Sequence, residues 1–134
     1  MASGNVLLGN KRSLGSEEMG MITRYGQGKF YHSAVAHGDT LYLSGVIADD
    51  LSAPMAEQTR QVLEKIARTL GEHGSSAHNI LSAMIYLADF SGKDAMNAVW
   101  AEWFEPADLP ARATVGVATL GKGVLIEISV VAAK

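Results

Sequence analysis

The sequence predicts a two-layer α+β domain, in which two helices pack on one face of a mixed β-sheet. Two segments place apolar residues at the spacing of an amphipathic helix, and the segments around them have the composition of strands. Hydrophobic residues make up 48% of the 134 residues, which is typical of one packed domain. We expect this single domain to cover residues 21–134, after a partly flexible N-terminal extension over residues 1–20 that is rich in Gly, Ser and Asn.

The first part of the domain is predicted to be made of strands. A short strand over residues 21–24 precedes a β-hairpin over residues 31–45. The hairpin pairs residues 32–36 with residues 40–44. Gly38 and Asp39 lie between them and can adopt the positive φ angles of a tight turn.

Residues 54–70 are predicted to form the first helix. Val62, Ile66 and Leu70 fall on one apolar face, and charged residues occupy the other faces. Pro54 suits the first helical turn, where a backbone N–H has no partner within the helix.

Residues 91–104 are predicted to form the second helix. Ser91 and Asp94 match an S-x-x-D capping pattern. Trp100 and Trp103 fit a helix face that packs on the sheet better than a ligand cage.

Three further segments complete the predicted sheet. Residues 80–87 are almost continuously apolar, which predicts a strand buried on both faces. Residues 113–118 and 124–132 are the last two strands, and residues 119–123 between them predict a hairpin loop with two glycines.

The composition excludes several classes of protein. The sequence has no cysteine, so disulfides, thiol catalysis and Cys-ligated metals are excluded. The net charge of -3 argues against a dedicated nucleic-acid binder. No apolar run reaches the ~20 residues that span a bilayer, and no secretory signal is present, so we expect a cytoplasmic protein that does not enter membranes. The four histidines have no metal-ligand spacing, which predicts no metal site.

Two charged residues stand out by their positions. Glu127 lies inside a strongly apolar strand, where a carboxylate needs a partner or performs acid–base chemistry. Arg112 opens the preceding strand and could bind a carboxylate through two hydrogen bonds. Whether they share a face depends on strand register. They therefore form either an ordinary ion pair at a subunit or layer boundary, or part of a binding site.

The sequence resembles the YjgF/Rid family of reactive intermediate deaminases, also called the L-PSP endoribonuclease family. The resemblance covers residues 21–134 and is carried by several motifs. These motifs are the run of residues 110–115 around Arg112, Leu120, Ile126-Glu127-Ile128, Ala132, Leu43-Ser44-Gly45, Tyr31, Glu57-Gln58-Thr59 and Asn97.

The resemblance implies both a fold and an activity. It implies two helices on one face of a mixed sheet, and a homotrimer in which the sheets form a central barrel with clefts between subunits. It also implies hydrolysis of small enamine and imine intermediates, such as 2-iminopropanoate and 2-iminobutanoate, to the 2-oxo acid and ammonia. Neither a cofactor nor a metal is implied.

The resemblance also implies roles for individual residues. Arg112 would bind the substrate carboxylate, and Glu127 would activate a water. The Gly45 backbone would approach the ligand, next to Ser44. Tyr31 would close the cleft from the neighbouring subunit. Asn97 would contribute a hydrogen bond at the rim.

Two departures from the family pattern bear on the reaction. Thr114 stands where the deaminase subgroup usually has Cys, and Val46 follows Ser44-Gly45 where Gln is usual. A hydroxyl could still hold a water. The alternatives are therefore a regulator that binds a small carboxylate in the same cleft without turnover and, with less support from the charge, an endoribonuclease. A chaperone-like or purely structural role stays open.

Overall fold

The computed structural model describes residues 20–134, so the prediction for the N-terminal extension lies outside the described residues apart from Gly20. Eight main elements follow one another in this part of the chain. They are β1 (Ile22–Gln27), β2 (His32–His37), β3 (Thr40–Leu43), α1 (Met55–Glu72), β4 (Ile80–Leu87), α2 (Lys93–Trp103), β5 (Ala111–Gly116) and β6 (Ile126–Ala133).

The strands form one mixed sheet in the order β1-β2-β3-β6-β4-β5. β4 and β5 are parallel, and the other neighbours are antiparallel. Both helices pack on the same side of this sheet, so the predicted α+β architecture is confirmed.

The β2–β3 hairpin forms as predicted. His37 pairs with Thr40, and the turn between them places Gly38 at a φ of 61°. A residue with a Cβ rarely adopts this angle, so the glycine allows the tight turn.

The two helices occupy the predicted segments, but the second begins differently. Among the described residues, no side chain caps α2, so the predicted capping pair of Ser91 and Asp94 is wrong. Asp89 instead accepts hydrogen bonds from the backbone N and the hydroxyl of Ser91, at 3.0 and 2.7 Å, and this turn precedes the helix. These hydrogen bonds therefore stabilise the 3-10 turn before α2 and not the N-terminus of α2 itself.

The sheet has two faces of different character. The covered face, which packs against α1 and α2, carries the fully buried side chains of Ile85, Leu87, Ile126 and Ile128. The opposite, open face includes Tyr42, Met84 and Val115, which are 45%, 38% and 39% exposed. Within residues 20–134, β4 is thus buried on one face only, and the prediction that both of its faces are covered is wrong for this part of a single chain.

The last two strands are not a hairpin, contrary to the sequence prediction. β5 lies at the sheet edge and pairs in parallel with β4, while β6 lies on the other side of β4. The connection between them must cross the end of β4, where the N–H of Val117 donates to the carbonyl of Leu87 at 3.0 Å.

Within residues 20–134, no helix combines the length and the apolarity that crossing a membrane requires.

Candidate active site

Arg112 projects from the edge strand β5 onto the covered face. Its strand partner is Ala83, which is buried in the core. The guanidinium carbon lies 5.1 Å from the ring centroid of Trp100, and Nη1 lies 4.0 Å from the sulfur of Met96. A cation–π contact holds the side chain in place without neutralising it. No carboxylate of residues 20–134 forms a salt bridge with it.

Thr114 lies two residues further along β5 and therefore projects toward the same face. It pairs with Ile85, which has no exposed surface. Its Oγ1 is buried and has no hydrogen-bond partner within the described part of the chain. Burying a hydroxyl without a hydrogen-bond partner costs free energy, and such a hydroxyl can bind a water or a ligand.

Asn97 belongs to α2 and lies three residues before Trp100, so the two side chains share one side of the helix. Asn97 is half-buried, whereas Trp100 is buried as the sequence predicts. We call Arg112, Thr114 and Asn97 the arginine half-site. The stacking of Trp100 on Arg112 was not predicted, because the tryptophan fits the apolar stripe of the helix equally well.

Glu127 lies near the middle of the sheet and projects toward the open face. Its partner in β4 is Tyr86, while the flanking residues Ile126 and Ile128 are buried on the covered face. The side chain is half-buried. Among residues 20–134, no salt bridge and no side-chain hydrogen bond involves its carboxylate.

Gly45 lies against this carboxylate. A Cβ at position 45 would overlap Oε2 of Glu127 and lie 2.8 Å from its carboxyl carbon. The glycine comes just before Val46, which exchanges two backbone hydrogen bonds with Ile128, at 2.9 and 3.1 Å. The glutamate side chain therefore occupies the space that any other residue at position 45 would fill.

Ser44 directly precedes Gly45 in the chain, and Tyr31 directly precedes the residue to which the Ser44 hydroxyl is bonded. The Ser44 hydroxyl donates to the carbonyl of His32 at 2.6 Å, which ties the end of β3 to β2. Tyr31 precedes His32 and is 68% exposed. We call Glu127, Gly45, Ser44 and Tyr31 the glutamate half-site.

The two half-sites do not come together in one chain. Arg112 is in register with Ala83 on the covered face, and Glu127 is in register with Tyr86 on the open face. An ion pair between Arg112 and Glu127 within one subunit is thus ruled out by the strand registers. A direct pairing of β5 with β6, as the predicted hairpin would require, does not occur, because β4 lies between these strands.

The acidic pair at positions 49 and 50 has a structural role. Asp49 lies 2.9 Å from the ammonium of Lys65, whose hydrogen bond and charge hold the pKa of Asp49 below its ordinary value. A hydrogen bond from Ser52 lowers the pKa of Asp50. Across residues 20–134, no group of three or more His, Asp or Glu side chains could hold a metal ion.

The fold and these positions define a class of protein: a two-layer α+β chain with polar site candidates on both faces of one sheet. The sequence model of the family described as Endoribonuclease L-PSP matches residues 22–134. The chain belongs to this family, and its resemblance to the YjgF/Rid family is confirmed.

Individual relatives agree with this assignment. The RutC family protein YoaB of Escherichia coli (strain K12) is 37% identical over 103 residues, which cover 77% of this chain and 90% of YoaB. A solved YjgF family structure from Neisseria meningitidis is 35% identical with a TM-score of 0.81 and covers 87% of this chain and 97% of its own. A Rid family structure from Yersinia pestis is 32% identical with a TM-score of 0.75 and covers 81% of this chain and 90% of its own.

Proposed function

We propose that the protein hydrolyses small imine and enamine intermediates of 2-oxo acids, and releases the 2-oxo acid and ammonia. The observation that carries this proposal is the Arg112 guanidinium, which is held by Trp100 and Met96 and has no carboxylate partner within residues 20–134. Such a group can bind a substrate carboxylate through two charge-assisted hydrogen bonds.

The site is proposed to be completed by a second copy of the chain. Arg112 and Glu127 lie on opposite faces of their own sheet, so they can act on one small molecule only if they come from different subunits. The open face supports this arrangement, because it leaves Tyr42, Met84 and Val115 exposed beside the central strands. The homotrimer that the family resemblance implies would cover this face and form clefts between subunits.

The chemical step adds water to the C=N bond and then removes ammonia. In the case of 2-iminopropanoate, the iminium and one water give pyruvate and ammonium. Glu127 would accept a proton from the attacking water as its oxygen bonds to C2. It would then return that proton to the nitrogen, and as the C–N bond breaks the hydroxyl proton of the intermediate passes to the departing ammonia, which leaves as ammonium. The carbon of an iminium is already electrophilic, so positioning and one acid–base group are sufficient.

The remaining candidates have supporting roles in this proposal. The buried Thr114 hydroxyl lacks a partner within residues 20–134 and would hold a water or a substrate atom. Asn97 would contribute a hydrogen bond at the rim, and Tyr31 would close the cleft of a neighbouring subunit. Ser44 would maintain the loop that carries Gly45, because its hydroxyl already donates to His32.

The reaction as proposed adds water and moves protons, and every role in it is given to side chains of the protein, with none for a cofactor or a metal. We also propose that it takes place in the cytoplasm, with small carboxylate-bearing metabolites and other copies of the chain as the partners.

The test is 2-oxo acid release from enzymatically generated 2-iminopropanoate. We expect Arg112→Ala to lower kcat/KM by about 100-fold or more, because the carboxylate loses two charge-assisted bonds. Arg112→Lys should recover only part of this loss, since an ammonium cannot bind in the same bidentate manner. Arg68→Ala removes an exposed arginine of α1 and serves as the control. Wild-type protein that does not accelerate the reaction would contradict the proposal.

A non-catalytic carboxylate-binding regulator is the second candidate, because it is supported by the same guanidinium, which has no carboxylate partner within residues 20–134. It predicts that 2-oxobutanoate or benzoate binds, that Arg112→Ala abolishes this binding, and that no imine is hydrolysed. The family description also names an endoribonuclease. RNA cleavage that copurifies with the protein and disappears in Glu127→Gln would favour that activity, although the net charge of -3 does not.

A further inference from the structure

Gln58 is the largest polar side chain that is completely buried among residues 20–134, and its hydrogen-bonding groups are satisfied by two distant loops. Its Nε2 donates to the carbonyls of Ala53 and Gly123, both at 3.0 Å, with a longer contact of 3.4 Å to that of Leu51. Its Oε1 accepts from the N–H of Leu125 at 3.0 Å. One amide thus joins the loop before α1 to the loop before β6.

We infer that Gln58 is a positioning residue for the Glu127 carboxylate. Leu125, which donates to Gln58, lies two residues before Glu127 on the same chain segment. The inference rests on the proposed function, in which Glu127 transfers the proton.

Both loops held by Gln58 lead directly to the glutamate half-site. The loop before α1 runs from Gly45 through Val46, and Val46 is bonded to Ile128 through two backbone hydrogen bonds. The loop before β6 continues through Leu125 into Glu127. Gln58 joins the two segments at Ala53 and Gly123, away from the Val46–Ile128 pair. The two segments are therefore joined at two places, and these links together fix the distance between the Gly45 backbone and the Glu127 side chain.

The rest of α1 holds only one of these loops. The Oε1 of Gln61 accepts from the N–H groups of Asp49 and Asp50 at 3.1 and 3.0 Å, and the Nζ of Lys65 donates to the carbonyl of Ile47 at 2.7 Å. Neither side chain forms a hydrogen bond to the loop before β6 within the described part of the chain. Gln58 is thus the α1 side chain whose hydrogen bonds couple the two loops.

Thr59 provides a matched comparison on the same helix. It is also fully buried, but its hydroxyl donates to the carbonyl of Met55 at 2.8 Å, which belongs to its own helix. Replacing it with Val removes a buried hydrogen bond without releasing either loop. Gln58→Met removes a buried amide of similar shape and releases both loops, since three carbonyls and one N–H lose their partner.

The first test compares the kinetics of these two variants on 2-iminopropanoate. We expect Gln58→Met to lower kcat by about 10- to 100-fold, because misplacement of the carboxylate by about 1 Å has effects of this size. KM should stay within about threefold, because Arg112 belongs to the other half-site. Thr59→Val should leave both constants within about threefold. Equal effects of the two variants on kcat would overturn the inference.

The conservative variant Gln58→Glu provides a second test that also applies if Gln58→Met does not fold. The new side chain keeps the acceptor for Leu125, but at neutral pH it places a carboxylate against carbonyl oxygens. Burial raises its pKa, so lowering the pH should protonate it and restore one donor. Its kcat relative to wild type should therefore rise as the pH falls.

Wild-type protein measured at each pH is the control for the titration of other ionisable groups on the two loops and on α1. Asp50, Glu57, Lys122 and Glu127 are the ionisable residues nearest along these segments to the groups that Gln58 bonds, and all four are at least partly exposed. A constant ratio between the variant and wild type across the pH range would overturn the inference.

Amide hydrogen exchange separates this inference from the proposed function. Gln58→Met should accelerate exchange at the N–H groups of Val46 and Ile128, and Thr59→Val should not, whatever the protein's reaction is. Unchanged exchange in Gln58→Met overturns the inference even if imines are hydrolysed. Accelerated exchange in a protein whose wild type hydrolyses no imine overturns the proposed function and leaves the structural role of Gln58 standing.

Discussion

The covered and open faces of the sheet differ in how completely their apolar side chains are buried within one chain. On the covered face, Ile85 and Ile128 have no exposed surface, and both helices lie over them. On the open face, Met84 is 38% exposed although it is the next residue after Ala83, which is 4% exposed. The difference teaches that residues 20–134 of one chain complete a core on one side of the sheet and not on the other.

The candidate site follows the same division. Arg112 and Thr114 lie toward the covered face at the edge of the sheet, while Glu127 and Gly45 meet on the open face near its centre. A function that uses both half-sites requires a partner subunit. The exposed apolar side chains of the open face form a surface on which such a subunit can pack.

The largest expected effect concerns the open face. Glu127→Gln should lower kcat for imine hydrolysis by about 100- to 10,000-fold, because the amide cannot accept the proton from water. KM should change little, since Arg112 is intact. Steady-state kinetics measures both constants, with Glu102→Gln, an exposed residue of α2, as the control. Full activity in Glu127→Gln would show that Glu127 and the open face take no part in the chemical step.

The next effect separates folding from assembly. Ile85→Ala should lower the free energy of unfolding by about 2–5 kcal/mol, because it leaves a cavity on the covered face. Met84→Lys, one residue earlier, should keep the native circular dichroism but shift the light-scattering mass toward that of one 14.2 kDa chain. Chemical denaturation at equal protein concentrations gives the stabilities. A Met84→Lys protein that stays assembled would contradict the distinction between the two faces.

Gly45→Ala should affect activity more than stability. The new methyl group displaces the Glu127 carboxylate, so kcat should fall by about tenfold or more. The displaced group is the end of a flexible side chain, and the free energy of unfolding should change by less than about 1 kcal/mol. Gly71→Ala is the control, since a Cβ there meets no atom within 4 Å. If both alanine variants have wild-type kcat, the close packing at Gly45 is irrelevant to function.

The smallest effect is the acid sensitivity of two loop carboxylates. Hydrogen bonds from Ser52 and Ser91 lower the pKa of Asp50 and Asp89 below 3.8. Because the folded pKa lies below the unfolded one, these groups stabilise the fold above pH ~4, and this contribution is lost as the pH falls through the folded pKa. Melting temperatures between about pH 6 and pH 3 should fall less for the Asp50→Asn/Asp89→Asn double variant than for wild type. Equal slopes would show that these bonds do not contribute.

Much of the fold could be predicted from local patterns. The spacing of Val62, Ile66 and Leu70 predicts α1, and β4 has the predicted bounds. The pairing of β5 could not be predicted, because two strands separated by a short glycine-containing loop favour a hairpin locally. The actual neighbour, β4, is a distant segment, and its insertion is decided by long-range packing that no local pattern encodes.

The same limit applies to the candidate site. The sequence identifies Arg112 and Glu127 as charged residues in apolar strands, but their faces depend on the partner strand, since side chains alternate along β5 and β6. The overlap between a Cβ at position 45 and the Glu127 carboxylate can also be recognised only in the three-dimensional structure. Gln58 belongs to a motif that carries the family resemblance, but the sequence does not indicate that it is buried or that its amide joins two loops.

The central claim is that Arg112 of one subunit acts with Glu127 of another, and mixing two inactive variants tests it most directly. Arg112→Ala and Glu127→Gln chains are unfolded, combined in equal amounts and refolded together. In randomly mixed trimers, a site between two subunits keeps both groups in about one quarter of cases, so about a quarter of wild-type kcat should return. If the mixed trimers form but their activity stays at the average of the two pure variants, both residues must come from one chain and the account is contradicted.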